Sequence, residues 1–463
     1  MERLSTLDAE FLHLEDPVSH MHIAGICTFA DPPPDFDDFS SMIGTRLGRV
    51  PRYRQRVRDV PLGLGRPIWV DDPHFNLAFH LRHTALPAPG TDADLCRLMG
   101  RLMSQPLDRE RPLWETWMVE GLAGNRWALI FKVHHCMVDG VAGVGLLEAM
   151  LDVEAEPAEE PVDDGDWQPR PEPPAAAKVL DAWVGAIGDT QRALGSVASG
   201  LKDPVGGMRK VGEYGAGLLR FGSRLRSTPE SSITGAIGPH RRWAHRSVEL
   251  EAVKRVGHTL GGTVNDVVLT AITLGYRDLL LDAGDDPSRT VLTSLVPVSV
   301  RGSDGDGVLD NRVSALLLDL PVDYEEPLEC LGEVRARMAD LKASHMAEAG
   351  NVVTDLSDLA PPVVVETLSK VGLLAQHRTT QRSVTTVTTN VPGPQFPLYC
   401  LGQEMLEYLP FVPISYGLRV GTAILSYNGR VAFGLTADLD VEADIEVLGD
   451  GIVAGMDRLL ELT

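Results

Sequence analysis

Trp127 to Val133 is an apolar run interrupted only by Lys132, and it ends directly in His134-His135-Cys136-Met137-Val138-Asp139-Gly140. Its length and bulky composition predict a buried strand, and the Asp-Gly pair marks the turn that ends it. Val141 to Leu151 follows with helical apolar spacing. The fold must therefore hold two imidazoles at the end of a buried strand, with a carboxylate four residues further on. Histidine is the side chain best suited to moving a proton near neutral pH, so the pattern points to a general base.

A single histidine at a strand end is more often structural, so the pair needs weighing. Neighbours on an extended segment face opposite sides. At most one of His134 and His135 then faces a substrate, and the other packs or hydrogen-bonds. Such imidazoles do not converge on one ion, and no third ligand sits at zincin-like spacing, so no metal is expected. Asp139, at the corner, is read as holding the loop or an arginine in place.

His-His-x-x-x-Asp-Gly resembles the signature of the coenzyme A-dependent acyltransferase superfamily, which includes chloramphenicol acetyltransferases and peptide-synthetase condensation domains. Further segments resemble the bacterial wax ester synthase/diacylglycerol acyltransferase family within it. They are Leu4-Ser5-Thr6-Leu7-Asp8 with Phe11-Leu12, Pro112-Leu113-Trp114-Glu115, and Thr263-Val264-Asn265-Asp266-Val267. Val296 to Arg301, Asn311-Arg312-Val313-Ser314 and Asn390-Val391-Pro392-Gly393-Pro394 complete the set. Asn76 stands where the family is expected to show Asp, a departure that leaves the chemistry undisturbed. The resemblance implies an α/β fold of two chloramphenicol-acetyltransferase-like lobes, each with a mixed sheet and flanking helices, and an active-site tunnel between them.

Composition is compatible with a large enzyme. The 463 residues are 44% hydrophobic and 23% charged, ordinary values for globular chains. A formal net charge of -23 disfavours nucleic acid, because phosphate binding needs a basic surface. Cys27, Cys96, Cys136, Cys330 and Cys400 are scattered, odd in number and without a C-x-x-C pair, as expected of a reducing compartment. The chain opens without a signal pattern, and no apolar stretch approaches the roughly 18 residues of a membrane span. A cytoplasmic enzyme, or one resting on a lipid surface without crossing it, is expected.

Four regions are expected. Residues 1–153 form a lobe carrying the histidines, 154–174 an acidic Pro-rich exposed linker, 175–239 a helical crossover, and 240–463 a second lobe. No internal repeat reveals the lobes unaided. Within 175–227, eight cations stand against four anions, a net +4 in an acidic chain. Basic amphipathic helices can lie on anionic lipid, whereas the ordinary reading is a solvated helix pair bridging the lobes.

The resemblance assigns proton abstraction to His135 and orientation of the motif to His134 and Asp139, with Gly140 allowing the tight turn. It implies fatty acyl-CoA as donor substrate, diacylglycerol or a long-chain alcohol as acceptor, and no cofactor. Asn265 is a candidate oxyanion donor, or else the N-cap of a helix over Val267–Leu280. Arg301 is expected to pair with Asp139 across the lobes. Pro112, Leu113 and Trp114 are expected to wall a substrate channel, although core packing uses the same residue types. Arg241 and Arg242, near His245 and Arg246, could attract the phosphates of coenzyme A or form a surface turn. No G-x-S-x-G occurs, which disfavours the usual serine hydrolase. The rival readings are a condensation-type acyltransferase served by a carrier protein and a catalytically silent lipid-inclusion coat protein.

Overall fold

A computed structural model describes residues 1–137, 150–156, 167–184, 230–299, 313–343, 383–415 and 417–463. Asp139, Gly140 and Arg301 lie outside these, as do most of the helix expected after Gly140, the middle of the acidic linker and most of the basic segment.

Twelve strands make two six-stranded sheets. They are β1 (His22–Ala30), β2 (Leu81–Ala85), β3 (Trp114–Leu122), β4 (Arg126–His134), β5 (Arg241–Glu249), β6 (Leu292–Ser299), β7 (Val313–Leu320), β8 (Thr386–Pro392), β9 (Tyr399–Cys400), β10 (Gln403–Phe411), β11 (Val420–Tyr427) and β12 (Arg430–Asp438). The first sheet runs β9-β10-β1-β4-β3-β2 and the second β7-β6-β8-β11-β12-β5. Both are mixed: β2 runs parallel to β3 in the first, and β8 parallel to β6 and β11 in the second. The expected α/β lobes with mixed sheets are present. The last quarter of the chain completes the first sheet, because β10 pairs antiparallel with β1, Ala24 opposite Phe411.

The apolar run forms β4, in the middle of the first sheet. Trp127, Leu129, Phe131 and Val133 enter one core, while Ala128 and Ile130 enter another on the opposite face. Burial on both faces is why the segment reads as a continuous apolar run. Helix α1 (Thr6–Leu14) belongs to the first of these cores through Ala9 and Leu12. Helix α2 (Phe36–Arg46) adds Phe39 and Ile43. Helix α3 (Asp92–Met103), opened by a Thr91–Asp94 capping box, covers the other face with Leu95, Met99 and Leu102.

The lobes meet closely. A Cβ on Gly434 of β12 would lie 1.7 Å from the Pro410 carbonyl oxygen of β10, so only glycine permits that approach. Trp243 Nε1 donates to the same oxygen at 3.3 Å. The Arg241 amide donates to Ser104 Oγ, just past α3, at 2.8 Å. In the second lobe, helices α4 (Leu250–Leu260), α5 (Val264–Asp282), α6 (Pro327–Ala343) and α7 (Ile445–Leu460) share one core with the inner residues of the second sheet.

Candidate active site

Backbone bonds from both sides fix the end of β4. The His134 amide donates to Leu113 O at 2.9 Å, and the His135 amide to Met21 O at 2.8 Å. The chain then leaves the strand for a single 3-10 turn, His135–Met137. His134 is fully buried, and its Nδ1 accepts from the Cys136 amide at 3.1 Å. The proton must then sit on Nε2, which faces Glu15 Oε2 at 3.6 Å. His22 is the cross-strand partner of His134, and its Nε2 lies 3.2 Å from Glu15 Oε1. Arg109 closes the cluster, donating to Glu15 Oε2 from Nη2 at 2.6 Å and from Nε at 3.0 Å. Burial opposes ionisation of Glu15, but the contacts with His134 and His22 outweigh it and hold the carboxyl well below the usual carboxylate range. Burial keeps His22 neutral, pushing it down to about 3 against the pull of Glu15.

His135 has a different environment. Its half-buried ring stacks on Phe11 with centroids 3.9 Å apart and planes 24° from parallel. Burial pushes the imidazole down to about 4, opposed by a bond to its own backbone and helped by His134. Its Nδ1 is buried and has no hydrogen-bond partner on any other residue. At neutral pH this is an uncharged imidazole on an apolar platform, a state suited to accepting a proton.

The remaining expected residues fall in several places. Thr263 caps α5, its side chain accepting from the Asp266 amide, so Asn265 is a second-position residue and not the N-cap. Asn265 Oδ1 instead accepts from Asn390 Nδ2 at 3.1 Å, bringing two of the sequence motifs together. Pro112, Leu113 and Trp114 are core residues. Trp114 is fully buried, donates from Nε1 to Tyr53 O at 2.8 Å and stacks on His80. Their link to the histidines is the Leu113 carbonyl. Arg241 is buried, with its guanidinium donating to the carbonyls of Gly238, His240 and Val18, so it is no surface anchor for phosphate. Arg242 is more exposed and donates to Leu439 O at 3.3 Å, with Asp444 3.8 Å away. Among the described residues, no group of His, Cys, Asp and Glu side chains could hold a metal ion.

Residues 4–268 match the family model described as the wax ester synthase/diacylglycerol acyltransferase catalytic domain, and residues 309–460 match the family's C-terminal domain. The chain belongs to the wax ester synthase/diacylglycerol acyltransferase family. A Mycobacterium tuberculosis protein named as a diacylglycerol O-acyltransferase is 38% identical to it, over 100% of this chain and 96% of that protein. The solved wax ester synthase/diacylglycerol acyltransferase of Marinobacter aquaeolei VT8 is 26% identical, with a TM-score of 0.68 over 99% of this chain and 98% of the other. A trichothecene 15-O-acetyltransferase from Fusarium sporotrichioides shares the fold, at a TM-score of 0.61 and 13% identity, over 99% of this chain and 94% of the other. The protein is thus an acyltransferase of the two-lobed fold that the histidine motif implied.

Sequence reasoning gave no role to Phe11, quoted only as part of a motif, and passed over Glu15, His22 and Arg109. The available signal was spacing: Phe11 and Glu15 are four residues apart on a short helical segment, one turn on the same face.

Proposed function

We propose that the protein moves a long-chain fatty acyl group from acyl-CoA to the free hydroxyl of diacylglycerol, giving triacylglycerol, with His135 as general base. The observation that carries this reading is the half-buried His135 ring at the end of β4, stacked on Phe11 and kept uncharged at neutral pH by burial. As the acceptor oxygen attacks the thioester carbonyl, Nε2 takes the hydroxyl proton. Collapse of the tetrahedral intermediate breaks the carbon–sulfur bond, and the imidazolium returns the proton to the departing coenzyme A thiolate. A thioester is already activated, so no covalent intermediate is needed. General-base assistance is typically worth 10²- to 10⁴-fold. The developing oxyanion needs preorganised donors, and Asn265 is the candidate side chain for that role.

Diacylglycerol is favoured as acceptor because the 38% identical mycobacterial protein carries that name. A long-chain alcohol is the second reading, prompted by the Marinobacter protein's name. Competition between diacylglycerol and hexadecanol for one labelled acyl-CoA, with purified enzyme, decides between them. Consumption of free acyl-CoA without any carrier protein sets aside the condensation-type reading, and acceptor-dependent thiol release sets aside a silent coat protein.

We further read the protein as working at a lipid surface. No helix among the described residues is long and apolar enough to cross a membrane. The described start of the basic segment, residues 175–184, is helical. It turns Leu180, Trp183 and Val184 outward, while Asp181 pairs with Arg3 on the inner side. Basic residues near anionic lipid contribute about 1 kcal/mol each, within a Debye length. Flotation with anionic vesicles should weaken with salt, and weaken further when Arg220, Arg224 and Arg226 are neutralised together. Unchanged, salt-insensitive flotation would leave the segment as a bridge between lobes.

A further inference from the structure

One short helix touches both motif histidines, although their side chains diverge. Phe11, on α1, lies flat against His135, and Glu15, the residue that ends α1, faces His134. The two contacts are one helical turn apart. They are linked covalently through the turn itself: His134 accepts from the Cys136 amide, and Cys136 follows His135 in the 3-10 turn. For His134 Nδ1 to accept that bond, its proton must be on Nε2, and a buried N–H needs an acceptor. Glu15 is the carboxylate that Nε2 faces. Arg109 holds Glu15 in turn, and donates to Leu12 O at 2.8 Å, tying the end of the helix to the loop before β3.

We propose that Phe11 and Glu15 are positioning residues for the acyl-transfer base, Phe11 by covering one face of the His135 ring and Glu15 by fixing the His134 tautomer that holds the turn carrying it. The proposal rests on the reading of His135 as base. Neither residue touches the proton in flight. Phe11 limits the ring's rotation about its side-chain torsions and excludes water from one face. Glu15 acts through His134 and the Cys136 amide, so its loss lets the 3-10 turn relax. Pre-organisation of this kind matters because misplacing a reacting group by about 1 Å can lower a rate 10²-fold. The charged and titratable groups round the turn are Asp8 and Glu15 from the α1 segment, His22 from β1, Arg52, Arg109, and Lys132 and His134 from β4.

The experiment is long-range proton–nitrogen NMR on the full-length protein labelled with nitrogen-15 histidine, with signals assigned by His134→Asn and His135→Asn variants. In the unaltered protein His134 should show a single Nε2–H tautomer across neutral pH. An Nδ1–H tautomer, or a tautomer mixture, overturns the role given to Glu15 without any variant. Phe11→Ala should raise the His135 titration midpoint by about one pH unit or more toward 6.5 and lower kcat about tenfold, with the KM for acyl-CoA unchanged within twofold. Phe11→Leu, which keeps an apolar cover, should leave the midpoint near that of the unaltered protein. Glu15→Gln, whose amide oxygen keeps an acceptor facing Nε2–H, should retain most of kcat, while Glu15→Ala should lose it and show mixed His134 tautomers. An unmoved His135 midpoint and kcat in Phe11→Ala, or full kcat in Glu15→Ala, overturns the proposal. Because the NMR readout does not depend on turnover, its outcome is separable from the His135→Ala activity test of the base itself.

Discussion

Asn390 donates from Nδ2 to Asn265 Oδ1 at 3.1 Å, joining residues 125 positions apart. Asn265 lies in the first turn of α5 and Asn390 on β8, so the bond pins the start of the helix to the sheet. The relationship has a chemical consequence. With its oxygen occupied by Asn390, the Asn265 amide keeps its two N–H donors free of that contact, as the proposed oxyanion role needs.

Asn265→Ala should therefore lower kcat by about 10²- to 10³-fold, the usual cost of losing one oxyanion donor. Asn390→Ala should give a smaller loss, because the Asn265 amide becomes free to turn over. The double variant should be no slower than Asn265→Ala alone, a non-additivity expected when one residue acts through another. A double-mutant cycle on kcat measures this, and strictly additive losses would separate the two roles.

His135→Ala should abolish esterification and leave the thermal unfolding midpoint within a few degrees of the original. The ring is only half-buried and contributes chiefly its contact with Phe11. Retention of more than about a tenth of the rate would contradict the general-base role. His134→Ala should differ by lowering stability as well, since it empties a fully buried site and removes the acceptor of the Cys136 amide.

The pH dependence of kcat/KM follows from the direction in which burial moves His135. On the proposed general-base role, activity needs the neutral ring, and burial lowers its affinity for a proton, to a pKa of about 4. The rate should stay level as pH falls through the ordinary histidine value near 6.5 and decline only on approaching about 4. Initial rates in constant-ionic-strength buffers, limited to the pH range where the fold persists, test this. A limb at 6.5 would mean the ring is solvated in the working enzyme.

Stability should be acid-sensitive over the same interval. Burial depresses His22 to about 3 and His80 and His135 to about 4, so the unfolded chain binds protons between pH 6.5 and 4 that the folded chain does not. Where the unfolded state binds more protons, stability rises with pH, so it is full above about 6.5 and falls as pH drops toward 4. A tenfold difference in one group's proton affinity between the two states corresponds to about 1.4 kcal/mol. Urea midpoints across this range should fall together with pH, and His80→Phe should shallow the slope by removing one titrating group.

Much of this architecture is legible in the sequence, and the illegible parts share a physical reason. The strand ending in His134 and the helix Asp92–Met103 follow from composition and capping, which are local. The pairing of β10 with β1 is not local, and backbone bonds between strands so far apart in the chain carry no sequence signature. At Arg241 and Arg242 charge is legible and burial is not. Two adjacent arginines look alike in sequence, and only the crossing of β5 over the end of α3 buries the first and leaves the second more exposed. Capping rules mislead at Asn265, because Thr263 competes for the same role and has Asp266 to complete a capping box. Glu15 is hidden for the opposite reason: an acidic residue after a short helix reads as solvated unless its histidine partners are known to converge on it.

Arg241 supplies the last prediction. Its buried guanidinium donates to Gly238 O, His240 O and Val18 O, and Val18 lies between Glu15 and the Met21 carbonyl that receives the His135 amide. One side chain of the second lobe therefore braces the loop that supports His135 in the first. Arg241→Ala removes the side-chain donor from three carbonyls, of which His240 O keeps the Leu439 amide, and hydrogen bonds from a charged donor are typically worth about 1.5–3 kcal/mol. The variant should lose several kcal/mol of stability by urea unfolding and some of its kcat, while its KM for acyl-CoA stays within twofold. Arg242→Ala, which removes a long contact at the rim, should change stability by less than about 0.5 kcal/mol. If Arg241→Ala were instead fully stable with a KM for acyl-CoA raised tenfold, its guanidinium would belong to coenzyme A recognition, and the carbonyl contacts would have to be exchanged for phosphate when substrate binds.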